Sequence, residues 1–361
     1  MRLGIVCNGF VNSGGMEFDA REFVRCMHEL GLSKPYVISK KIDFSLPEAQ
    51  DSIPVEINCS FLPRRLRDFY VSHRLGRIRK ELGLDVVIGF GRSNHVDIVA
   101  CGGTHPGFLR AMPRRGLYDY FSLKLEKQEY ENAKFVVAHS GLMAQEVQEF
   151  YDFPKERISV ISPPMPPMRF KKACPEEKDN WREHFGLPKD KVTFLFVSSS
   201  HKRKGFELLE RYFESTKLPI LLVVAGRPLP RGKEYKNIKY IGYQDHIEQA
   251  YFACDYSILA SLYEPLGRAP IESLLCGTPT LISDNLGCAE LLKDEFKITF
   301  KAGDLDSLNI AVNRAMIERK EIQSKVMSTD EILKIVPTSM GYTRRVLQLV
   351  NRVMSDSKKT S

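Results

Sequence analysis

The sequence has no apolar run long enough to cross a bilayer: PILLVVAG, Pro219 to Gly226, is among its longest, against the roughly 20 residues a spanning helix needs. The opening MRLGIVCNGF lacks the charged lead, long apolar core and small-residue cleavage site of a secretory signal, so it reads as a first strand. The eight cysteines are scattered singly, with no C-x-x-C pair, which disfavours a disulfide framework or zinc site and points to free buried thiols in a reducing cytoplasm. No G-x-G-x-x-G is present, which argues against a nicotinamide-dependent oxidoreductase. HExxH, H-x-x-E-H and Walker sequences are missing too. No RNA- or DNA-binding motif accompanies the basic residues, so nucleic acid is the weakest of the anionic partners.

What remains is an ordinary globular composition of 361 residues, 43% hydrophobic and 27% charged, enough for two domains with their own cores. Short apolar runs alternate with polar or helical stretches: LGIVCNGF, KPYVISK, DVVIGFG and HVDIVACGGTH, then KVTFLFV, ILLVVAG and DYSILAS. That order predicts α/β architecture with parallel sheets. LYDYFSLKLEKQEYENAKF has the pattern of a long amphipathic helix, and Ser140 is placed to cap the helix after it. The proline-rich, charged segment from Pro163 to about Asp179 is the natural linker.

The formal net charge is +8, and the basic residues bunch. Arg64, Arg65, Arg67, Arg74, Arg77, Arg79 and Lys80 fall in one stretch, with Arg110, Arg114 and Arg115 nearby. Such a field attracts anionic lipid or a phosphorylated substrate, or it marks a solvated helix face. The D-x-D at Asp304 to Asp306 precedes a helix pattern with Leu308, Val312 and Met316 on one face, so it reads as an N-cap rather than a metal site.

The most informative stretch is YEPLGRAPIESLLCGTP, Tyr263 to Pro279. It places Glu264 on the loop after a buried strand and Glu272 in a short helix, from about Gly267 to Cys276, with Pro270 in its first turn and Gly277 past its end. Amides at such a helix start hold an anion, and flanking carboxylates accept hydrogen bonds from sugar or ribose hydroxyls. A diphosphate-linked sugar uses both.

EPLGRAPIE resembles the Glu-x7-Glu signature of the retaining glycosyltransferases of family 4, and among these the chain is similar to lipopolysaccharide core glucosyltransferases. The resemblance covers nearly the whole chain. It implies a GT-B fold, in which two Rossmann-like domains face each other across a cleft and a C-terminal helix crosses back to the first. Residues 1–165 would form the acceptor side, 166–336 the donor side, 337–354 the returning helix and 355–361 a disordered tail.

By the same resemblance Glu264 engages the donor sugar and Glu272 the ribose, with Leu266 and Gly267 beside them in the donor site. Arg203 and Lys204, on the turn of SSSHKRKG, neutralise the diphosphate. Many members separate this Arg from the Lys, whereas here they are contiguous, which leaves Arg203 the less secure of the two. Gly14 and Gly15 face the donor phosphates, Gly226 contributes backbone contacts near the base, His105 in CGGTH touches the donor sugar, and Asp19 faces the acceptor hydroxyl.

The implied activity is transfer of a hexose, with UDP-hexose favoured, to a glycan or glycolipid acceptor in lipopolysaccharide or another cell-envelope polysaccharide. No metal or other cofactor is expected. The expected location is the cytoplasm, at the inner face of the membrane when bound to an anionic surface. The alternative is an inactive GT-B binding or scaffolding protein, against which the intact Glu264 and Glu272 argue.

Overall fold

The computed structural model describes residues 1–113, 116–165, 170–172, 174–328 and 331–359. It divides into two compact units, Met1–Met165 with Pro337–Ser361, and Pro166–Val336. The first unit runs β1 (Leu3–Cys7), α1 (Gly15–Glu29), β2 (Tyr36–Ser39), α2 (Pro47–Gln50), β3 (Ile53–Glu56), α3 (Arg67–Leu82), β4 (Val86–Phe90), β5 (Ile98–Cys101), α4 (His105–Ala111), α5 (Leu117–Asn132), β6 (Phe135–Ala138), α6 (Gly141–Tyr151) and β7 (Ile158–Val160). Its seven strands lie in the order β3-β2-β1-β4-β5-β6-β7, every pair parallel. All residues of β1, β4, β5 and β6 are buried, which is why these strands read as unbroken apolar runs rather than alternations. The edge strand β3 is mostly exposed and carries Pro54, a residue that edge strands tolerate.

The second unit runs α7 (Pro175–His184), β8 (Val192–Ser198), α8 (Phe206–Ser215), β9 (Ile220–Gly226), β10 (Ile238–Tyr240), α9 (Ile247–Ala253), β11 (Tyr256–Leu259), α10 (Arg268–Leu275), β12 (Thr280–Ser283), β13 (Lys297–Phe300) and α11 (Leu305–Ser328). Its six strands, again all parallel, are ordered β10-β9-β8-β11-β12-β13. Both sheets therefore reverse their winding direction once, between β1 and β4 and between β8 and β11. In such sheets ligands bind outside the strand carboxyl ends at that point.

Chain and unit do not coincide, because α12 (Ser339–Lys359) belongs to the first unit and packs against α1 and β4. Tyr342, Val346, Leu349, Val350 and Val353 join Phe10, Phe23, Val37, Ile88 and Phe90 in a single core. Each such buried side chain contributes about 1.5–3 kcal/mol. Ser339 Oγ donates to Glu22 Oε2 at 2.5 Å and Arg345 Nη2 to the Val160 carbonyl at 2.9 Å, which fixes the start of the helix.

Two expectations need correction. The segment expected to be a linker as far as Asp179 is already helical from Pro175. Pro175 occupies the first helical turn, where a missing N–H costs nothing, and Glu177 Oε2 accepts from the Cys174 amide at 2.9 Å, so the proline starts a helix instead of breaking one. Of that segment, residues 166–169 and 173 lie outside the described residues. The tail expected to be disordered from residue 355 is helical through Lys359. No Gly or Pro stops α12 there, and extending an existing helix fixes only one residue per added hydrogen bond. Thr360 and Ser361 lie outside the described residues.

Candidate functional site

In the second unit the switch point brings together the turn after β8 and the loop after β11. Arg203 Nη1 donates to Glu264 Oε2 at 2.8 Å and to the Tyr263 carbonyl at 2.9 Å. Ser261 Oγ donates to the same carboxylate oxygen at 3.3 Å. The Leu262 amide donates to the Arg203 carbonyl at 2.9 Å, so backbone and side chain both lock the two loops. Lys204 Nζ donates to the Val197 carbonyl at 3.0 Å. Its ammonium is pushed below the ordinary lysine range by burial, with Glu264 opposing that shift, Arg203 adding to it and Glu272 opposing it. A partly desolvated cation beside an arginine has unmet demand for an anion.

Close backbone packing makes this turn possible. Gly205 adopts φ +76°, and a Cβ there would sit 1.8 Å from the Ala260 carbonyl oxygen; only glycine allows β8 and β11 to present their loops side by side. Gly226, at φ +106°, closes on the Ser198 carbonyl in the same way. Gly267 caps α10 at φ +85°, and Cys276 ends it. The Gly287 amide donates to the Glu264 carbonyl at 3.1 Å and the Cys288 amide to the Leu266 carbonyl at 2.6 Å, fixing that loop. Glu272 lies in α10, where Tyr251 Oη donates to its Oε2 at 3.2 Å. Thus Arg203, Lys204, Glu264, Leu266, Gly267 and Glu272 belong to adjoining loops and one short helix, while Gly226 ends the neighbouring strand. Asp304 Oδ1 accepts from the Ser307 amide at 2.9 Å, the N-cap role read from the sequence.

The first unit carries the other candidates. Gly14, at φ +47°, caps α1 and Gly15 begins it. Asp19 is enclosed, 1% exposed. His105 opens α4 behind Thr104, whose Oγ1 accepts from the Gly107 amide at 3.1 Å. Its ring is buried, with Nε2 3.0 Å from Asp119 Oδ1. Burial, and then Arg92, push its pKa below the usual value, against the pull of Glu126 and Asp119.

Around His105 lies a polar cluster that local sequence patterns do not reveal. The helix expected over LYDYFSLKLEKQEYENAKF is α5, and it buries Leu125 and Tyr130 as an amphipathic helix should, but Glu126 and Glu129 are buried beside them while Leu117 is 82% exposed and Tyr120 64%. Arg92 Nε pairs with Glu126 Oε2 at 2.7 Å, and the Glu126 carboxylate accepts the His105 amide at 2.9 and 3.1 Å. Glu129 Oε1 accepts the Ser93 amide at 3.0 Å. Burial raises the Glu129 carboxyl to about 8, beyond what Ser93 and Arg92 restore, with Glu126 adding repulsion. Glu126, Glu129, Arg92 and Asn8 line a cavity of about 250 Å³ at the carboxyl ends of β1, β4 and β5, the switch point of this sheet.

Several of the clustered arginines are engaged within the unit. Arg79 pairs with Asp97 at 2.9 Å, Arg77 with Glu81 at 2.7 Å and Arg110 with Glu149. Arg67 donates to the Leu62 carbonyl at 3.0 Å. Arg64, Arg65 and Lys80 are exposed and make no ion pair among the described residues. Arg114 and Arg115 lie outside the described residues.

Two parallel, doubly wound units with one helix returning to the first are the GT-B architecture of glycosyltransferases. The solved structure of WaaG, a glycosyltransferase involved in lipopolysaccharide biosynthesis, superposes with a TM-score of 0.76 at 17% identity, covering 95% of each chain. Anabaena HepE in complex with UDP-glucose superposes with a TM-score of 0.71 at 16% identity, over 98% of this chain and all of that one. Residues 13–169 match the family model "Glycosyltransferase Family 4" and residues 177–328 match "Glycosyl transferases group 1". A probable transglycosylase of Burkholderia thailandensis is 37% identical over 352 residues, 97% of this chain and 96% of that protein. Lipopolysaccharide glucosyltransferase WaaG of Escherichia coli is 23% identical over 305 residues, 78% of this chain and 80% of its own length. The chain belongs to glycosyltransferase family 4.

Proposed function

We propose that this glycosyltransferase is a retaining hexosyltransferase, which moves a sugar from a nucleotide diphosphate donor, UDP-hexose in the first instance, to a glycan or glycolipid acceptor of the cell envelope. The observation that carries the reading is the pair of cations at the switch point of the second unit, Arg203 held against Glu264 and desolvated Lys204 next to it on the same turn. As the bond between the sugar and the diphosphate loosens, negative charge accumulates on the departing phosphate oxygen. Fixed positive charge that meets this oxygen stabilises the transition state more than the ground state. Glu264 orients Arg203 and accepts from sugar hydroxyls, and Glu272 takes the ribose.

The acceptor oxygen then bonds to the anomeric carbon as the carbon–phosphate-oxygen bond breaks, and the departing phosphate takes the acceptor proton. Delivery from the same face retains configuration. Arg203 and Lys204 supply the positive charge, so the reading requires no metal, and activity should survive EDTA. Exposed Arg64, Arg65 and Lys80 make the first unit the side that meets an anionic membrane surface or a phosphorylated acceptor, with each basic residue adding about 1 kcal/mol.

Lys204→Ala tests the chemistry. Removing one positioned donor to a developing oxyanion costs about 10²–10³ in kcat, so turnover of UDP-hexose should fall by that factor with unfolding unchanged. Wild-type turnover in the variant would sink the assignment.

A further inference from the structure

A second cavity in the first unit, about 470 Å³, opens at the carboxyl ends of β1, β2 and β3. Its wall includes Lys40, Lys41, Arg64 and Arg67 against two carboxylates, Glu17 and Glu56. Lys40 is held rather than free to wander: its Nζ donates to Asn8 Oδ1 at 3.0 Å and pairs with Asp68. Arg67 is clamped by its Nε on the Leu62 carbonyl at 3.0 Å and by Nη2 on the Ser60 carbonyl at 3.4 Å, which leaves its Nη1 without a hydrogen bond among the described residues. Glu56 spends Oε2 on the Ile42 amide at 2.8 Å. The Lys41 and Arg64 side chains make no hydrogen bond or ion pair among the described residues, and both are exposed. Positive charge in this wall therefore exceeds negative, and the unspent donors are two guanidiniums and an ammonium.

We propose that this cavity binds the phosphomonoester of a phosphorylated saccharide. A phosphomonoester carries about −1.5 to −2 charges near pH 7, which the excess cations match, and arginine forks grip its oxygens through parallel donors while lysines act as point charges. In the same wall Glu17 accepts from the hydroxyls of the attached sugar, and Asn58, whose Oδ1 already takes the Ser60 amide and hydroxyl, donates to them through Nδ2. The volume lies within the range of small-molecule sites and exceeds what a bare phosphate fills. The site shares Asn8 with the cavity holding Glu126 and Glu129, so one ligand can span both. The proposal rests on the reading of the first unit as the acceptor side, and it names the acceptor's class: a sugar that already bears a phosphate.

The test uses the full chain with mannose 6-phosphate and mannose as probes, followed by ³¹P and saturation-transfer NMR. Wild type should bind the phosphate ester and not the plain sugar. The double variant K41S/R64S should raise Kd about tenfold, as expected for lost hydrogen bonds to a charged group, while the thermal shift induced by UDP stays unchanged. Phosphatidic acid vesicles that displace mannose 6-phosphate, where phosphatidylcholine vesicles do not, would assign the phosphate to a lipid-borne acceptor; no displacement would assign it to a soluble sugar phosphate, and either result upholds the site. Equal binding of mannose and its phosphate, undiminished binding by the double variant, or displacement by UDP would overturn it. Intact mannose 6-phosphate binding without any UDP response would instead sink the proposed transfer and leave this site standing.

Discussion

Glu129 should make the first unit lose stability as pH rises. The carboxyl is 3% exposed, one helical turn from Glu126, and burial raises its pKa from the ordinary 4.5 to about 8. Below 4.5 both folded and unfolded chains hold the proton, and the favourable contribution is fully present. Between 4.5 and about 8 only the folded state holds it, so unfolding releases a proton and stability falls by about 1.4 kcal/mol per pH unit. The loss from this residue is roughly 2–3 kcal/mol between pH 6 and 8 and is complete above the folded pKa. Glu129→Gln mimics the protonated form in size and can still accept the Ser93 amide. It should therefore match wild type near pH 5 and exceed it increasingly toward pH 8, shifting Tm upward by several degrees for a unit of this size. Urea or thermal unfolding of both proteins from pH 5 to 9 measures this. Parallel stability curves across that range would show that Glu129 is ionised throughout and refute the reasoning.

Glu272→Gln should raise the Kd for nucleotide about tenfold, because one oxygen is already taken by Tyr251 and the amide leaves fewer acceptors for ribose; Glu264→Gln should chiefly lower kcat, since it loosens Arg203. Calorimetry and steady-state kinetics separate the two, and identical effects would remove the distinct roles. Gly205→Ala should cost at least the 1–3 kcal/mol or so of a strained backbone and weaken nucleotide binding, since its Cβ would strike the Ala260 carbonyl; a variant with wild-type Tm and nucleotide affinity would contradict the packing. Asp255 is a buried hub in the second unit, joined to Lys178 and Arg182 at 3.1 Å each. Burial would raise its pKa, but Lys178, the Thr193 amide and Arg182 outweigh it and bring the value to about 2. Its stabilisation holds above the ordinary carboxylate range and disappears as pH falls toward 2. Asp255→Asn should cost about 3–5 kcal/mol by leaving Arg182 buried without its counter-charge, read as a lower urea midpoint.

The strands and the loops that carry Arg203 and Glu264 were legible because their signals are local. A strand buried on both faces reads as an apolar run, as in LGIVC and ILLVVAG, and Glu264 and Glu272 sit within one strand-loop-helix stretch with Gly267 and Gly277 marking the turns. The cluster around Glu129 was hidden for the opposite reason. Its donor is the amide of Ser93, 36 residues away, and nothing in LEKQEYEN distinguishes a glutamate meant for the interior from one meant for water. The basic stretch misled in part, because Arg79 and Arg110 have acidic partners elsewhere in the chain that composition alone cannot pair.

The core of the first unit is assembled from two ends of the polypeptide. During synthesis, at about 5–20 residues per second, residues 1–165 emerge well before α12, the whole of the second unit intervening. Throughout that interval Phe10, Phe23, Val37 and Phe90 lack the helix that covers them in the finished core. The second unit, continuous in sequence, can complete itself first. Newborn chains thus carry a greasy, half-built first unit for many seconds, a window in which a holdase that recognises exposed apolar side chains would find its target.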